Sequence, residues 1–468
     1  MNNDLKKNFT FAFIAQGLSL VMSCLTNLIL PKVITPLEFS YWQLFIFYAT
    51  YIPCFALGLN DGVYLRYGGA LRKKINFKSV KSQYFFGLIF QFTIAIIIGV
   101  TAFFLIDNNK RKLIVFWVLI YYLVYTCHNF LGYTFQALNE TNIFSKSIII
   151  DRVFYASILC LIIVIKKANV FLVIPFYIAG IFVAWLYLFH LIQSDFKKVP
   201  FDLELGIKES IVSMKTGISL MISNICSLLV LGVGRQIVET KWGLLTFGKV
   251  SFSLTLINFA LTFISQIGMV LFPALRRLDR KALNEYYIKL NIALFNFLPI
   301  IYILYLPAQY ILKLWLPNYR ISIDYLSVIL PICFFDGKMN LIGNTFFKVL
   351  RKQVTLLKIN VATILISCFW GLIAAYIFNS LYSLVIGLVF AIGFRCVISS
   401  FILSKITGNN STLMDILDVV LAVIFVFSTT NFQWYSSLII ISTIYLIRFI
   451  FSKRENAIYK YKHFGVKK

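Results

Sequence analysis

Asp336, Asn340 and Asn344 recur every four residues inside an apolar run, so on a helix they share one face. Such a stripe offers a wet, hydrogen-bonding path through hydrocarbon, where each of these groups alone would be costly. Lys338 stands two residues from Asp336 and does not face it on an ideal helix. Asp336 is also the candidate for proton or sodium coupling, because a buried carboxylate can titrate near neutral pH. Three more cations interrupt apolar runs: Lys249, Arg395 and Arg448. A cation inside such a run binds an anion, pairs with a carboxylate, or snorkels to the headgroups. Lys249 reads as a phosphate or sugar contact, and Arg395 as cleft-facing or paired, each with snorkelling as the alternative. Arg448, close to the end of the last run, reads as a snorkelling anchor.

Arg66 closes the segment NDGVYLR and is either a topology signal or an anion-capturing group at the mouth of a path. Asp151 and Arg152 are adjacent, point in different directions on a helix, and read as interfacial, with a site as the alternative. His128 reads as a hydrogen-bonded structural group, and with His190 and His463 it makes no zinc set. No Gly-x-x-x-x-Gly-Lys phosphate loop occurs, so no ATP chemistry of its own is expected. The eight cysteines all fall in apolar stretches without a Cys-x-x-Cys pair and read as small buried hydrophobes. No catalytic residue, metal or cofactor is expected.

These residues must be held by elements that cross a membrane. The chain is 60% hydrophobic and only 13% charged over 468 residues, a composition that suits a polytopic membrane protein. The net charge of +26 does not indicate nucleic acid, because the cations sit in short clusters between apolar runs of about 20 residues. About fourteen runs are long enough to span: 9–30, 40–60, 82–106, 113–138, 148–165, 170–191, 216–234, 244–272, 288–306, 323–346, 359–378, 381–404, 415–430 and 435–452. The first reads as a retained helix, since a cleaved signal has a shorter apolar core and a small-residue site. With the N-terminus in the cytoplasm, 30 of the 44 Lys and Arg fall inside and ten outside, which supports both the count and the orientation, with both termini cytoplasmic.

The sequence also repeats. Nine of the 31 positions from Gly17 to Phe47 are identical 200 residues later, against about three expected by chance in lipid-facing segments. Gly17 returns as Gly217 and Trp42 as Trp242. Transporters are often built from two related helical halves. The expected fold class is therefore all-α: two six-helix bundles, 1–205 and 206–405, related by a pseudo-twofold axis along the membrane normal. An accessory helix pair with a basic tail follows at 406–468.

The opening KKNFTFAFIAQGLSLVMSCLTNLILPKVITPLEFSYWQL, the ending LGLNDGVYLRYGG of the second run and FPALRRL after the eighth resemble the oligosaccharide flippases of the polysaccharide transporter family. Those proteins share a superfamily with multidrug antiporters and the peptidoglycan-precursor flippase. The family's Leu-Gly…Phe-Gly pattern is replaced here by Thr35-Pro36-Leu37-Glu38-Phe39-Ser40, without either glycine. The resemblance implies two bundles that open alternately to either side of the bacterial cytoplasmic membrane. It implies a polyprenyl pyrophosphate carrying a short sugar chain as substrate, drawn from the lipid phase, with polysaccharide assembly proteins as possible associates.

A carrier of that substrate needs cations for the phosphates and a wet cavity for the sugars. The candidate substrate-binding residues are Arg66, Lys249, Arg395, Lys338, Asn340 and Asn344, with Asp336 as coupling group. Two rivals stand beside this reading. A multidrug or small-molecule antiporter of the same superfamily would want a net acidic cleft. A membrane glycosyltransferase or polymerase would want longer outer loops than these.

Overall fold

The computed structural model describes residues 3–70, 72–165, 169–276, 278–408 and 412–464, without the side chains of 3–9, 12–13, 266–274, 276 and 451–464. Nearly all of these residues are helical and no strand occurs among them. Most of the FPALRRL motif therefore lies outside the described side chains. The chain forms two compact units, Met1–Ile225 and Cys226–Lys468.

The first unit begins with α1 (Asn3–Cys24), which continues through a π-helical turn, Leu25–Ile29, to Val33. There follow α2 (Pro36–Thr50), α3 (Leu59–Tyr67), α4 (Phe77–Leu105), α5 (Asn109–Ala137), α6 (Thr141–Val164) and α7 (Val170–Lys197). The opening segment of α8 (Leu203–Arg276) completes it. Local chemistry sets the helix starts. Thr35 Oγ1 accepts from the Glu38 N–H at 3.3 Å and the Glu38 carboxylate accepts from the Thr35 N–H at 3.0 Å, a capping box with Pro36 at the first helical position. Asn76 and Asn108 cap α4 and α5 through their side-chain oxygens.

The second expected run is broken. α2 and α3 meet at 55°, with Leu57 and Gly58 both at positive φ. The break lets α3 lie against α8 backbone to backbone. A Cβ on Gly62 would stand 1.8 Å from the Ser213 carbonyl oxygen, and one on Gly217 would stand 2.0 Å from that of Gly58. Small residues permit this approach between membrane helices. Because α8 opens on this surface, the first unit ends at Ile225, twenty residues beyond the expected boundary at 205.

The second unit holds the rest of α8, α9 (Arg280–Phe297), α10 (Ile300–Trp315), α11 (Arg320–Ile329) and α12 (Pro331–Lys338). A π-helical turn, Met339–Gly343, leads into α13 (Asn344–Val349). Then come α14 (Gln353–Leu372), α15 (Leu381–Thr407), α16 (Thr412–Asn431) and α17 (Trp434–Phe464). The last pair belongs to this unit.

Each of the fourteen apolar runs is helical. Among the described residues ten helices are long and apolar enough to cross a membrane, or up to twelve when each bent pair is one span. The remainder are accounted for by α8, which carries two runs on either side of the non-helical Gly243, and by the shorter apolar helix Trp434–Ile450.

The order of elements repeats, but not at a spacing of 200. Helices starting at 109, 141 and 170 recur at 320, 353 and 381, a spacing of 211 or 212. The first break falls at Ile34–Thr35 and the second at Gly243, because the second opening helix is about nine residues longer. Trp42 therefore lies after its break, buried and edge-on to Tyr177 at 5.5 Å, whereas Trp242 lies before its own. The expected equivalence of these two tryptophans does not hold.

Candidate functional site

The polar stripe of the second unit is present. Asp336, Asn340 and Asn344 are the half-buried positions of a segment whose neighbours are buried. The π turn between them keeps the stripe local: Asn344 Nδ2 donates to Asn340 Oδ1 at 2.9 Å, and Thr345 Oγ1 donates to the Asn340 carbonyl, five residues back, at 3.0 Å. Arg395 reaches this stripe from α15 and donates through Nη2 to Asp336 Oδ1. Both side chains are largely withdrawn from solvent. Asp336 is thus the counterion of Arg395, not a lone coupling carboxylate, and Arg395 is not an unpaired cation.

Lys338 is on the far side of the same helix and does not join the stripe. Its ammonium donates to Asp415 Oδ1 and Asp418 Oδ2, each at 2.7 Å. Asp418 also accepts from Arg448 Nη2 at 2.6 Å, and Arg448 donates in addition to the Leu417 carbonyl at 2.8 Å. The Arg448 guanidinium lies 3.9 Å from the Phe295 ring centroid. All four charged side chains are at most 5% exposed. Two cations and two carboxylates balance, the arrangement a buried charge needs. This corrects two expectations: Lys338 does not line a wet path, and Arg448 is no lipid anchor. Sequence reasoning missed Asp415 and Asp418, although two aspartates three residues apart on an apolar helix share a face and ask for cations.

Lys249 lies on α8 six residues beyond Gly243, half-buried. Among the described residues it has no carboxylate partner, and it is the one candidate cation of which that is true.

In the first unit Arg66 projects from α3 to α8, where it donates to Glu209 Oε2 at 2.5 Å and to Ser213 Oγ at 2.8 Å. Ser213 in turn donates to Gln83 Oε1 at 2.7 Å, so the arginine belongs to a network that fastens α3, α4 and α8. Deeper in the unit, Asp151 is buried, 3.5 Å from Arg152, which also hydrogen-bonds Tyr177. Gly180 makes room for that carboxylate: a Cβ there would stand 2.8 Å from Asp151 Oδ1. The pair is thus interior rather than interfacial. Asp151 Oδ1, Arg152 Nε, Tyr155 Oη and His128 Nδ1 are buried atoms without a hydrogen-bond partner among the described residues. His128 Nε2 is bonded to Ser147 at 3.0 Å, the structural role expected of it. No group of three or more metal-ligating side chains occurs among the described residues.

No protein-family model and no curated protein matches this sequence. Solved structures do. The structure titled lipid II flippase MurJ, inward closed conformation, matches with a TM-score of 0.68 at 13% identity over 96% of this chain and 100% of that one. An inward-facing multidrug resistance MATE family transporter of the MOP superfamily matches with a TM-score of 0.59 at 12% identity over 83% and 94%. A MATE structure in the bent conformation gives 0.52 at 12% identity over 89% and 98%. The chain shares the fold of these three solved structures. The likeness to the flippase leaves out about 19 of the 468 residues, fewer than the 53 of Thr412–Phe464, so it extends into the last helix pair.

Proposed function

We propose that this chain is a flippase that carries a polyprenyl-pyrophosphate-linked oligosaccharide across the bacterial cytoplasmic membrane by alternating access, for cell-surface polysaccharide synthesis. The observation that carries the reading is the likeness of fold to a protein titled as a lipid II flippase, reaching into the last helix pair. Two features of charge support the substrate class. Lys249 is an in-membrane cation with no carboxylate partner among the described residues, and the Arg395–Asp336 pair beside the Asn340–Asn344 amides can release its guanidinium to a phosphate if the carboxylate takes up a proton or sodium ion. That exchange is how Asp336 would couple transport to an ion.

A second reading, a small-molecule antiporter, has one observation in its favour. Arg66, Lys338, Arg395 and Arg448 are all matched by carboxylates, so the interior is not strongly basic.

The test is reconstitution into vesicles with a fluorescent polyprenyl-pyrophosphate disaccharide, read by the access of an added lectin. Protein-dependent movement between leaflets supports flipping. Ion-driven release of a cationic dye without any glycolipid movement would move the protein to the second reading.

A further inference from the structure

We propose that the second unit carries a saccharide-binding pocket of its own at the end where α10 closes and α17 opens. The cavity is about 600 Å³, within the range of small-molecule sites. The helix ends that form it are those the Lys and Arg alternation assigns to the outer side. Tyr310 and Trp434 both line it and stack on each other, with ring centroids 6.0 Å apart. Asp324 contributes a carboxylate that accepts from Lys313 at 2.7 Å and is still more than half exposed. Gln309 and Gln433 bring side-chain amides that have no partner among the described residues.

That combination matches one ligand chemistry. A pyranose has an apolar C–H face, which packs on an aromatic ring, and a rim of neighbouring hydroxyls. Each hydroxyl donates and accepts, so carboxylate and amide groups bind them in pairs. An acyl chain would leave the amides without partners and take the exposed Asp324 carboxylate out of water, at a cost. Interfacial aromatic anchoring does not account for the arrangement either. Trp315 and Tyr435 sit at the same helix ends, well exposed, yet neither lines the cavity. The pocket is made of α10, α11, α15, α16 and α17, which gives the last helix pair a binding role in addition to its structural one. A site here would hold a sugar on the outer side whatever substrate the protein moves.

Saturation-transfer NMR on the full chain in lipid nanodiscs tests this with free glucose, galactose, N-acetylglucosamine and glucuronate as probes. The expected result is saturation of the ring protons of at least one sugar, with affinity weakened about tenfold by Trp434→Ala, the scale of one aromatic contact. Tyr435→Ala, outside the cavity, leaves the signal in place. If Trp434→Ala lowers the melting temperature, Asp324→Asn replaces it and is expected to abolish the same signal. The proposal is overturned if no sugar is saturated, if the affinity is unchanged by Trp434→Ala in a folded protein, or if the signal survives Asp324→Asn. It is also overturned if dihexanoyl phosphatidylcholine, added as competitor, is saturated and displaces the sugars, which assigns the pocket to a lipid headgroup. Soluble sugars need no transport, so a failed flipping assay leaves this experiment unaffected.

Discussion

Arg448 Nη2 lies 2.6 Å from Asp418 Oδ1, and this contact ties the last helix of the chain to the helix before it inside the second unit. Through Asp418 and Asp415 the same network reaches Lys338 on α12. Removing one member leaves a buried charge unmatched, which costs about 3–5 kcal/mol. Arg448→Ala is therefore expected to lower the melting temperature and the yield of folded protein. Replacing Lys338, Asp415, Asp418 and Arg448 together by apolar residues is expected to cost less than Arg448→Ala alone, because no orphan charge is left. Fluorescence-detected size exclusion across a temperature series measures both. A fully stable Arg448→Ala protein would return this arginine to the role of a lipid anchor.

How much of this was legible in the sequence depends on range. The fourteen runs were, because spanning length and apolarity are local properties. The Asp336, Asn340 and Asn344 stripe was, because it is one helix face. The partners of those cations were not. Lys338 meets Asp415 across 77 residues of chain and Arg66 meets Glu209 across 143, and no spacing rule reaches that far. The same limit applies to the repeat. Identical residues at a spacing of 200 gave the duplication but could not show that the second opening helix runs on to Trp242.

Gly17 and Gly217 are identical in the repeat but differ in surroundings. Among the described residues nothing lies within 4 Å of a Cβ built on Gly17, whereas one on Gly217 meets the Gly58 carbonyl oxygen at 2.0 Å. Gly217→Ala is expected to destabilise the first unit by about 1–3 kcal/mol, the usual cost of overpacking. Gly17→Ala is expected to leave stability unchanged or slightly raised, since alanine favours a helix over glycine. Thermal melts of the two variants in one detergent decide the matter. Equal losses would mean that the close approach of α3 and α8 is not required.

Glu140, in the turn between α5 and α6, accepts from Arg72 at 3.0 Å, and Arg72 also donates to Asp195 at 2.7 Å. Burial raises the Glu140 carboxyl above its ordinary value, and the Arg72 charge only partly offsets this. An acid with a raised folded-state value binds protons more tightly when folded. Stability then falls as pH rises from the ordinary carboxylate value through the folded one. Glu140→Gln removes that titration. The stability of the native protein relative to this variant is expected to decline as pH rises across that window and to level off above it. A rising difference would show that the Arg72 contact outweighs burial.

The last prediction separates transport from packing. Lys249 has no carboxylate partner among the described residues, so Lys249→Ala leaves no orphan charge and is expected to insert and melt as the native protein does. Arg395→Ala strands the Asp336 carboxylate and is expected to lose stability, while Arg395→Ala with Asp336→Asn regains it. If an anionic glycolipid is carried, both Lys249→Ala and the stable Arg395→Ala/Asp336→Asn pair lose export, since each charge-assisted contact with phosphate is worth about 1.5–3 kcal/mol. The measurement is surface glycan per unit of inserted protein in a strain lacking its own copy. Export that persists in a folded Lys249→Ala/Arg395→Ala/Asp336→Asn triple variant would rule out these two cations as the phosphate-binding groups. Full loss in Lys249→Ala at native stability would place phosphate recognition on the lysine that interrupts the apolar run after Gly243 and has no ion pair among the described residues.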